Sequence, residues 1–253
     1  MKNVSDFAGP ELGPQFLDRL LKKNPSLDEM RNRFKTDRYL VVRSFIEQPI
    51  TTFFCRYALM HAQLGAVRAD EMVPDASYLY GDPLMESALD LFCPVMESIT
   101  GLKLYPTYAY CRIYNHGDVL NAHIDRPGCE ISASMTLGND LTARSQTDKQ
   151  YNWPIYVEGK PLSCEPGDIL IYHGCELKHW REAFQGEYQV QLFMHYVDQN
   201  GPASKEKFDT RPALGLPACT RGAITMEEAY KLMEKENKMD IAMRIFRQRR
   251  AQQ

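Results

Sequence analysis

Two runs of strict alternation, Tyr108–Tyr114 and Ile131–Leu137, most narrow the folds open to this chain. In the first, Tyr108, Tyr110, Arg112 and Tyr114 share one side, and Ala109, Cys111 and Ile113 the other. In the second, Ser132, Ser134 and Thr136 oppose Ile131, Ala133, Met135 and Leu137. A period of two belongs to β-strands, whose successive side chains point to opposite faces. Apolar or β-forming runs at Tyr39–Val42, Trp153–Val157, Gly167–His173 and Tyr188–Val197 predict further strands, with turn signals at Glu158-Gly159 and Pro166-Gly167. Several short strands separated by turns predict a mainly β chain with flanking helices, its core a double-sheet antiparallel structure of the jelly-roll or cupin type.

The flanks read as helical. Asp18–Lys23 is a short helix candidate, a charged stretch follows to Asp37, and Ile50–Gln63 carries Phe53, Phe54, Tyr57 and Met60 near helical spacing. Asp82-Pro83 is a helix start, with Asp as N-cap and Pro at the first position. Leu84, Ala88, Leu91, Val95 and Ile99 then predict a buried stripe, Pro94 a kink or split, and Gly101 the end. Residues 1–101 are thus expected to support a β core at 102–199. Residues 200–253 are expected to wrap the surface and close with a helix opened by the capping box Thr225-x-x-Glu228. Met226, Tyr230, Met233, Ile241, Ile245 and Phe246 would line one side of that helix, and Arg244, Arg247, Arg249 and Arg250 suit its negative pole. A chain of 253 residues has room for all of this in a single domain.

Composition excludes several classes. A net charge of -3 gives no reason to expect nucleic acid as an obligate partner. No stretch approaches the roughly 20 apolar residues of a membrane span, and Met1–Pro14 holds no apolar signal core. The seven cysteines include no Cys-x-x-Cys pair, which favours reduced thiols in a cytoplasmic setting over a disulfide framework or a cysteine zinc site.

The chemistry concentrates at Ala122-His123-Ile124-Asp125. On an extended segment His123 and Asp125 point to one side, where an imidazole and a carboxylate can occupy adjacent corners of a metal polyhedron. A second histidine from elsewhere would complete a two-His-one-carboxylate face that leaves positions open on Fe(II). His61 sits in a helical pattern and His116 in a turn, so His173, His179 and His195 are the candidates.

Order and spacing here resemble the Fe(II)/2-oxoglutarate-dependent oxygenases, near their prolyl-hydroxylase-like group. The resemblance rests on Tyr114, Gly117, His123-x-Asp125, the Gly167-Asp168 turn and His179, and covers about 108–198. It implies a double-stranded β-helix with Fe(II) on His123, Asp125 and His179. It also implies 2-oxoglutarate bound to the metal through its C1 carboxylate and keto oxygen, and O2 consumed with release of succinate and CO2 as a substrate hydrogen is abstracted. Presence of the Asp125 carboxylate, which related halogenases lack, points to hydroxylation or a sister oxidation such as desaturation. The substrate would be a small molecule or a peptidyl residue, and nothing in the sequence selects one or sets an oligomeric state.

One departure stands out. Members of that family usually hold the far carboxylate of 2-oxoglutarate with an Arg or Lys about ten residues past the distal histidine. Here that count reaches Tyr188, Gln189 and Val190. Gln189 can donate only a neutral amide bond; Arg112 and Arg181 are the cations near enough to substitute, with Tyr114 and Thr136 as further donors. Arg112 is favoured, because three tyrosines share its face and an arginine buried there needs an anion. Arg126, Tyr110 and Trp180 are candidates for substrate contact, Arg126 either binding an anionic substrate or pairing with Glu130, and Trp180 shielding the site. The missing cation also leaves open a cupin-like iron enzyme that uses no 2-oxoglutarate, or a metal-binding barrel without turnover.

Overall fold

In the computed structural model, residues 12–70, 72–142, 151–222, 225, 227, 228 and 230–235 are described. Their strands are β1 (Tyr39–Val42), β2 (Arg68–Ala69), β3 (Ser77–Tyr80), β4 (Leu104–Asn115), β5 (Leu120–His123), β6 (Ile131–Asp140), β7 (Ile155–Val157), β8 (Lys160–Leu162), β9 (Ile169–His173), β10 (His179–Arg181) and β11 (Tyr188–Asp198). One sheet runs β1-β9-β6-β11-β4-β3-β2 and the other β5-β10-β7-β8. From β4 to β11 the chain passes back and forth between the sheets and every pairing is antiparallel, which makes these eight strands a double-stranded β-helix.

Alternation along the large sheet decides what lies on each side. Ala109, Cys111, Ile113, Ala133, Met135, Leu137, Val190, Leu192 and Met194 join one apolar core with the helices. The other face carries Tyr114, Phe193, Leu170 and Tyr172, which meet Leu120, Trp153, Ile155 and Val157 of the small-sheet side. Between them lie polar groups rare in a core: Arg112, Ser132, Ser134, Thr136, Gln189, Gln191 and His195 are all buried there. Buried polar side chains persist where they are bonded to one another or face a ligand.

Four helices cover the outer face: α1 (Pro14–Leu21), α2 (Leu27–Asp37), α3 (Gln48–Gln63) and α4 (Pro83–Thr100). Asp82 caps α4, its side chain accepting from the Leu84 and Met85 N–H groups, and Gly101 ends it at φ 76°. The buried stripe of α4 is Met85, Ala88, Leu89, Phe92, Val95, Met96 and Ile99; of the expected line, Ala88, Val95 and Ile99 are buried, Leu84 is partly buried and Leu91 is exposed. Pro94 neither splits nor ends α4; it lies on the helix's exposed face. In α3 the inward residues are Thr51, Phe54, Cys55 and Ala58; Phe53 and Met60 face solvent. The charged stretch before β1 is largely α2, capped by Ser26, and α1 begins four residues earlier than the sequence suggests.

The segment after β11 is anchored more firmly than a surface wrap. Arg211 and Glu86 of α4 form an ion pair buried on both sides, and Phe208, Asp209, Ala213 and Leu216 are buried with it. Phe208, Asp209 and Thr210 are three consecutive non-glycine residues with φ near +55° (55°, 55° and 57°). Each such residue costs about 1–3 kcal/mol and persists only where its surroundings over-determine it. Beyond this turn the Thr225/Glu228 capping box forms, with Glu228 N donating to Thr225 Oγ1 and Thr225 N to Glu228 Oε2. Met233 packs against Ala213 and Leu216. Met226, Ile241, Ile245, Phe246 and Arg244, Arg247, Arg249 and Arg250 lie outside the described residues. Among the described residues all seven cysteines are free, and no helix is long and apolar enough to cross a membrane.

Candidate metal centre and its cavity

Strand pairing brings the two histidines together. β10 runs antiparallel beside β5 with His179 directly opposite His123, and the rings stand 4.3 Å apart between centroids. Asp125, two residues past the end of β5, is held by its own N–H, which donates to the Gly174 carbonyl at 2.8 Å. One carboxylate oxygen, Asp125 Oδ1, then lies 3.6 Å from Nε2 of His123 and 3.6 Å from Nε2 of His179. That is too long for a hydrogen bond and short enough for all three atoms to reach one ion.

The far side of each ring is already committed. His123 Nδ1 is 2.8 Å from the Asn121 carbonyl and His179 Nδ1 2.9 Å from that of Leu177. Bonded to a carbonyl, Nδ1 keeps the proton and Nε2 presents its lone pair to the centre. Burial pushes the His179 pKa down, toward the neutral ring a metal needs. Burial alone would raise Asp125, but the imidazoles and the Ser132 hydroxyl outweigh it and hold the carboxyl down at about 2. Ser132 Oγ donates to Asp125 Oδ2 at 2.9 Å and lies 3.0 Å from Nδ1 of buried His195, which burial keeps neutral with a pKa of about 4.

A second grouping, Asp125, Cys129 and His195, shares the carboxylate. Its thiol is buried 3.0 Å from the Tyr108 hydroxyl, and its His195 Nδ1 lies 3.0 Å from Ser132 Oγ, so both groups already have protein partners, whereas the Nε2 atoms of His123 and His179 converge on Asp125 Oδ1. The His123–Asp125–His179 set is therefore the better metal site.

Gly174 matters to that set although nothing in the sequence pattern singled it out. A Cβ there would collide with Asp125 Oδ2 and come within 2.5 Å of the Cys129 carbonyl and 2.7 Å of Ser132 Oγ. Gly174→Ala must push the carboxylate away, so we expect a folded protein whose Fe(II) affinity is lower by about ten-fold or more, the usual size of an outer-shell effect. Metal titration checks this; unchanged affinity would mean the 174–176 turn yields instead.

A cavity of about 430 Å³ opens from the three residues, bounded by Tyr78, Tyr80 and Tyr110 on one side and by Arg126 and Arg221 at its mouth. No family model matches the sequence, and no curated protein matches it either. Solved structures do. A prolyl hydroxylase from Trichoplax adhaerens, in complex with a hypoxia inducible factor oxygen degradation domain peptide, superposes with a TM-score of 0.58 at 14% identity, covering 77% of this chain and 96% of that one. A prolyl-4-hydroxylase from Pseudomonas putida gives 0.53 at 13%, covering 68% and 99%. The fold is that of the Fe(II)/2-oxoglutarate oxygenases. The α-ketoglutarate-dependent carbocyclase SnoK of nogalamycin biosynthesis has it too, with a TM-score of 0.56 at 13% identity over 70% of this chain and 85% of its own.

Within this oxygenase fold the remaining sequence candidates separate. Arg112 has an anion, but the anion is Asp70: Nε donates to Asp70 Oδ2 at 2.6 Å and Nη1 to the Tyr114 hydroxyl at 2.9 Å, both pairs buried. Tyr110 donates to the same Asp70 oxygen at 2.6 Å. Gln189 Nε2 donates to Gln191 Oε1, Gln191 to Ser134, and Thr136 Oγ1 lies 3.2 Å from both Gln191 Oε1 and the Cys164 carbonyl. Arg181 is different. It is 2% exposed, its Nη1 donates to the Trp153 carbonyl at 2.6 Å, and its Nε is buried without any partner. Burial lowers its pKa, and no carboxylate among the described residues pairs with it. Arg126 pairs with Asp209 at 2.8 Å instead of Glu130, which accepts from the Asp198 N–H. Trp180 does not shield the site: between inward His179 and Arg181 it faces the other way and stacks on Tyr156 at 5.3 Å and 7°.

Proposed function

We propose that this protein is an Fe(II)- and 2-oxoglutarate-dependent dioxygenase that hydroxylates an unactivated C–H bond of its substrate. One observation carries the reading. On β10, two residues past the ligand His179, lies the fully buried guanidinium of Arg181, whose Nε has no hydrogen-bond partner and with which no carboxylate among the described residues pairs. Two imidazoles and one carboxylate suit Fe(II), and they leave further coordination positions for other ligands. A buried cation without an anion is costly unless a ligand supplies the charge. His179 and Arg181 are two apart on one strand, so their side chains rise from the same face about 6.6 Å apart. That spacing suits a short diacid held at the metal by one end and at Arg181 by the other.

Bound there, the metal and cosubstrate would supply the oxidation, with O2 as the oxidant. The chain's own work is to hold the metal with His123, Asp125 and His179 and to neutralise the far carboxylate with Arg181. Ser132 and Gly174 fix the Asp125 carboxylate. Tyr114, Thr136 and Gln189 are bonded to Arg112, Gln191 and the Cys164 carbonyl, and they bring no second cation to compete with Arg181. The cupin-like alternative drew support from the missing cation at Gln189; a cation entering from β10 removes the need for one on β11.

Titrating 2-oxoglutarate into anaerobic, Fe(II)-loaded protein tests the reading. Saturable binding that requires the metal, and succinate release on admitting O2, are expected. Iron binding without any 2-oxoglutarate binding would leave the cupin-like reading, and no metal uptake at all would leave a barrel without turnover.

A further inference from the structure

The mouth of the cavity has a charge and a shape that the metal centre does not account for. Asp70 and Arg112 neutralise each other on the cavity wall, and Asp125 belongs to the metal set. What remains is Arg126 and Arg221, both lining the cavity and both about two-fifths exposed. A single buried carboxylate, Asp209, holds the two of them: Oδ1 takes Arg126 Nη2 at 2.8 Å and Oδ2 takes Arg221 Nη2 at 2.9 Å. Tyr80 donates its hydroxyl to the same Oδ2. Among the described residues, two guanidiniums against one carboxylate leave one positive charge, and Asp209 itself does not line the cavity.

The chain is distorted to achieve this. Asp209 is the middle of the three consecutive left-handed residues, and strain of that kind gathers at ligand clamps. Tyrosines fix the planes of the guanidiniums, with Arg126 4.6 Å over Tyr108 and Arg221 5.1 Å over Tyr80. Beside the cations rises an aromatic wall: Tyr78 stacks on Tyr110 at 4.7 Å and 16°, and Tyr80 leans on Tyr108 at 5.2 Å. Flat rings bind flat ligands, and a fixed guanidinium fork binds carboxylates. Ala218 and Arg221 complete the lining from the segment after β11, and a cavity of about 430 Å³ is the size of a small-molecule site.

We infer that the substrate is a small molecule with a planar ring system and an acidic group, the ring against Tyr78 and Tyr110 and the acid on Arg126 and Arg221. Calling this ligand the substrate rests on the oxygenase reading; its binding does not.

Calorimetric titration of 2-naphthoate, 2-naphthamide and octanoate into the purified protein, saturated with Zn(II) and the inert diacid N-oxalylglycine, tests it. The naphthoate should bind about ten-fold or more tightly than either the amide or the aliphatic acid, as expected of charge-assisted bonds together with stacking. In the double variant Arg126→Gln/Arg221→Gln that preference over the amide should shrink to about two-fold or less. Equal binding of acid and amide, equal binding of octanoate, or a preference surviving in the double variant overturns the inference. So does tighter binding of a proline-rich peptide, or displacement of naphthoate by N-oxalylglycine. If the double variant does not fold, Arg221→Gln alone should weaken naphthoate about three-fold or more, and no loss overturns the inference. Binding of N-oxalylglycine is measured first and reports on the oxygenase reading. Should it not bind, that reading falls and the same titrations run without it, where the preference for the ring-bearing acid still stands or fails.

Discussion

Protein carrying His179→Ala should bind Fe(II) at least about 100-fold more weakly than wild type and release no succinate above background, while unfolding within a few degrees of the wild-type temperature. The reasoning is local. His179 supplies one of three ligand atoms, and losing a ligand must cost more than the ten- to hundred-fold typical of losing a partner behind one. Its ring is buried, and its polar contacts are to the Leu177 carbonyl, two residues away, and to the Tyr172 hydroxyl at 3.4 Å, so neither is part of the β10 pairing with β5 and β7. Asp125→Ala should abolish turnover as well, though less cleanly, since it also frees Ser132 and removes the charge both imidazoles face. Metal content, succinate release and thermal unfolding measured together check the prediction. Full metal binding by folded His179→Ala protein would sink the assignment.

Much of this centre is legible in the sequence because it depends on local periodicity. His123 and Asp125 are two apart; alternation turns Arg112 and Tyr114 inward and Ala109 and Cys111 outward; and Asp82 and Gly101 bound α4 as capping rules require. Helix faces were less legible. Phe53 and Leu91 are apolar and fall near helical spacing, but which side of α3 or α4 meets the sheet is fixed by neighbours distant in the chain. The same limit hid the electrostatics. Asp70 reaches Arg112 across 42 positions, Glu86 reaches Arg211 across 125, and Asp209 reaches Arg126 across more than 80. No window of sequence contains both halves of such a pair, so Arg112 looked like the cation in want of an anion. Gly174 and Ser132 escape sequence reasoning for a related reason: their importance lies in how closely they approach Asp125, which spacing does not encode.

The largest departure from the family pattern, the missing cation on β11, yields a prediction with two opposite signs. Arg181→Leu should lower 2-oxoglutarate affinity about 30-fold or more, the loss of one to two bonds to a charged group, with Fe(II) affinity unchanged. Without cosubstrate the same variant should unfold at a higher temperature than wild type. A guanidinium buried over the Trp153 ring, with a bare Nε and no carboxylate among the described residues beside it, destabilises the empty protein, and a leucine of lesser volume removes that penalty. Saturating 2-oxoglutarate should reverse the order, because a ligand that binds only the folded state raises its stability. Arg112→Gln should behave otherwise, strongly destabilised with or without ligand, since it strands Asp70 in a buried site. Thermal unfolding of the three proteins, with and without 2-oxoglutarate and anaerobic Fe(II), separates the cases. A folded Arg181→Leu protein that still binds 2-oxoglutarate with wild-type affinity would return the anchoring role to Arg112 or Gln189.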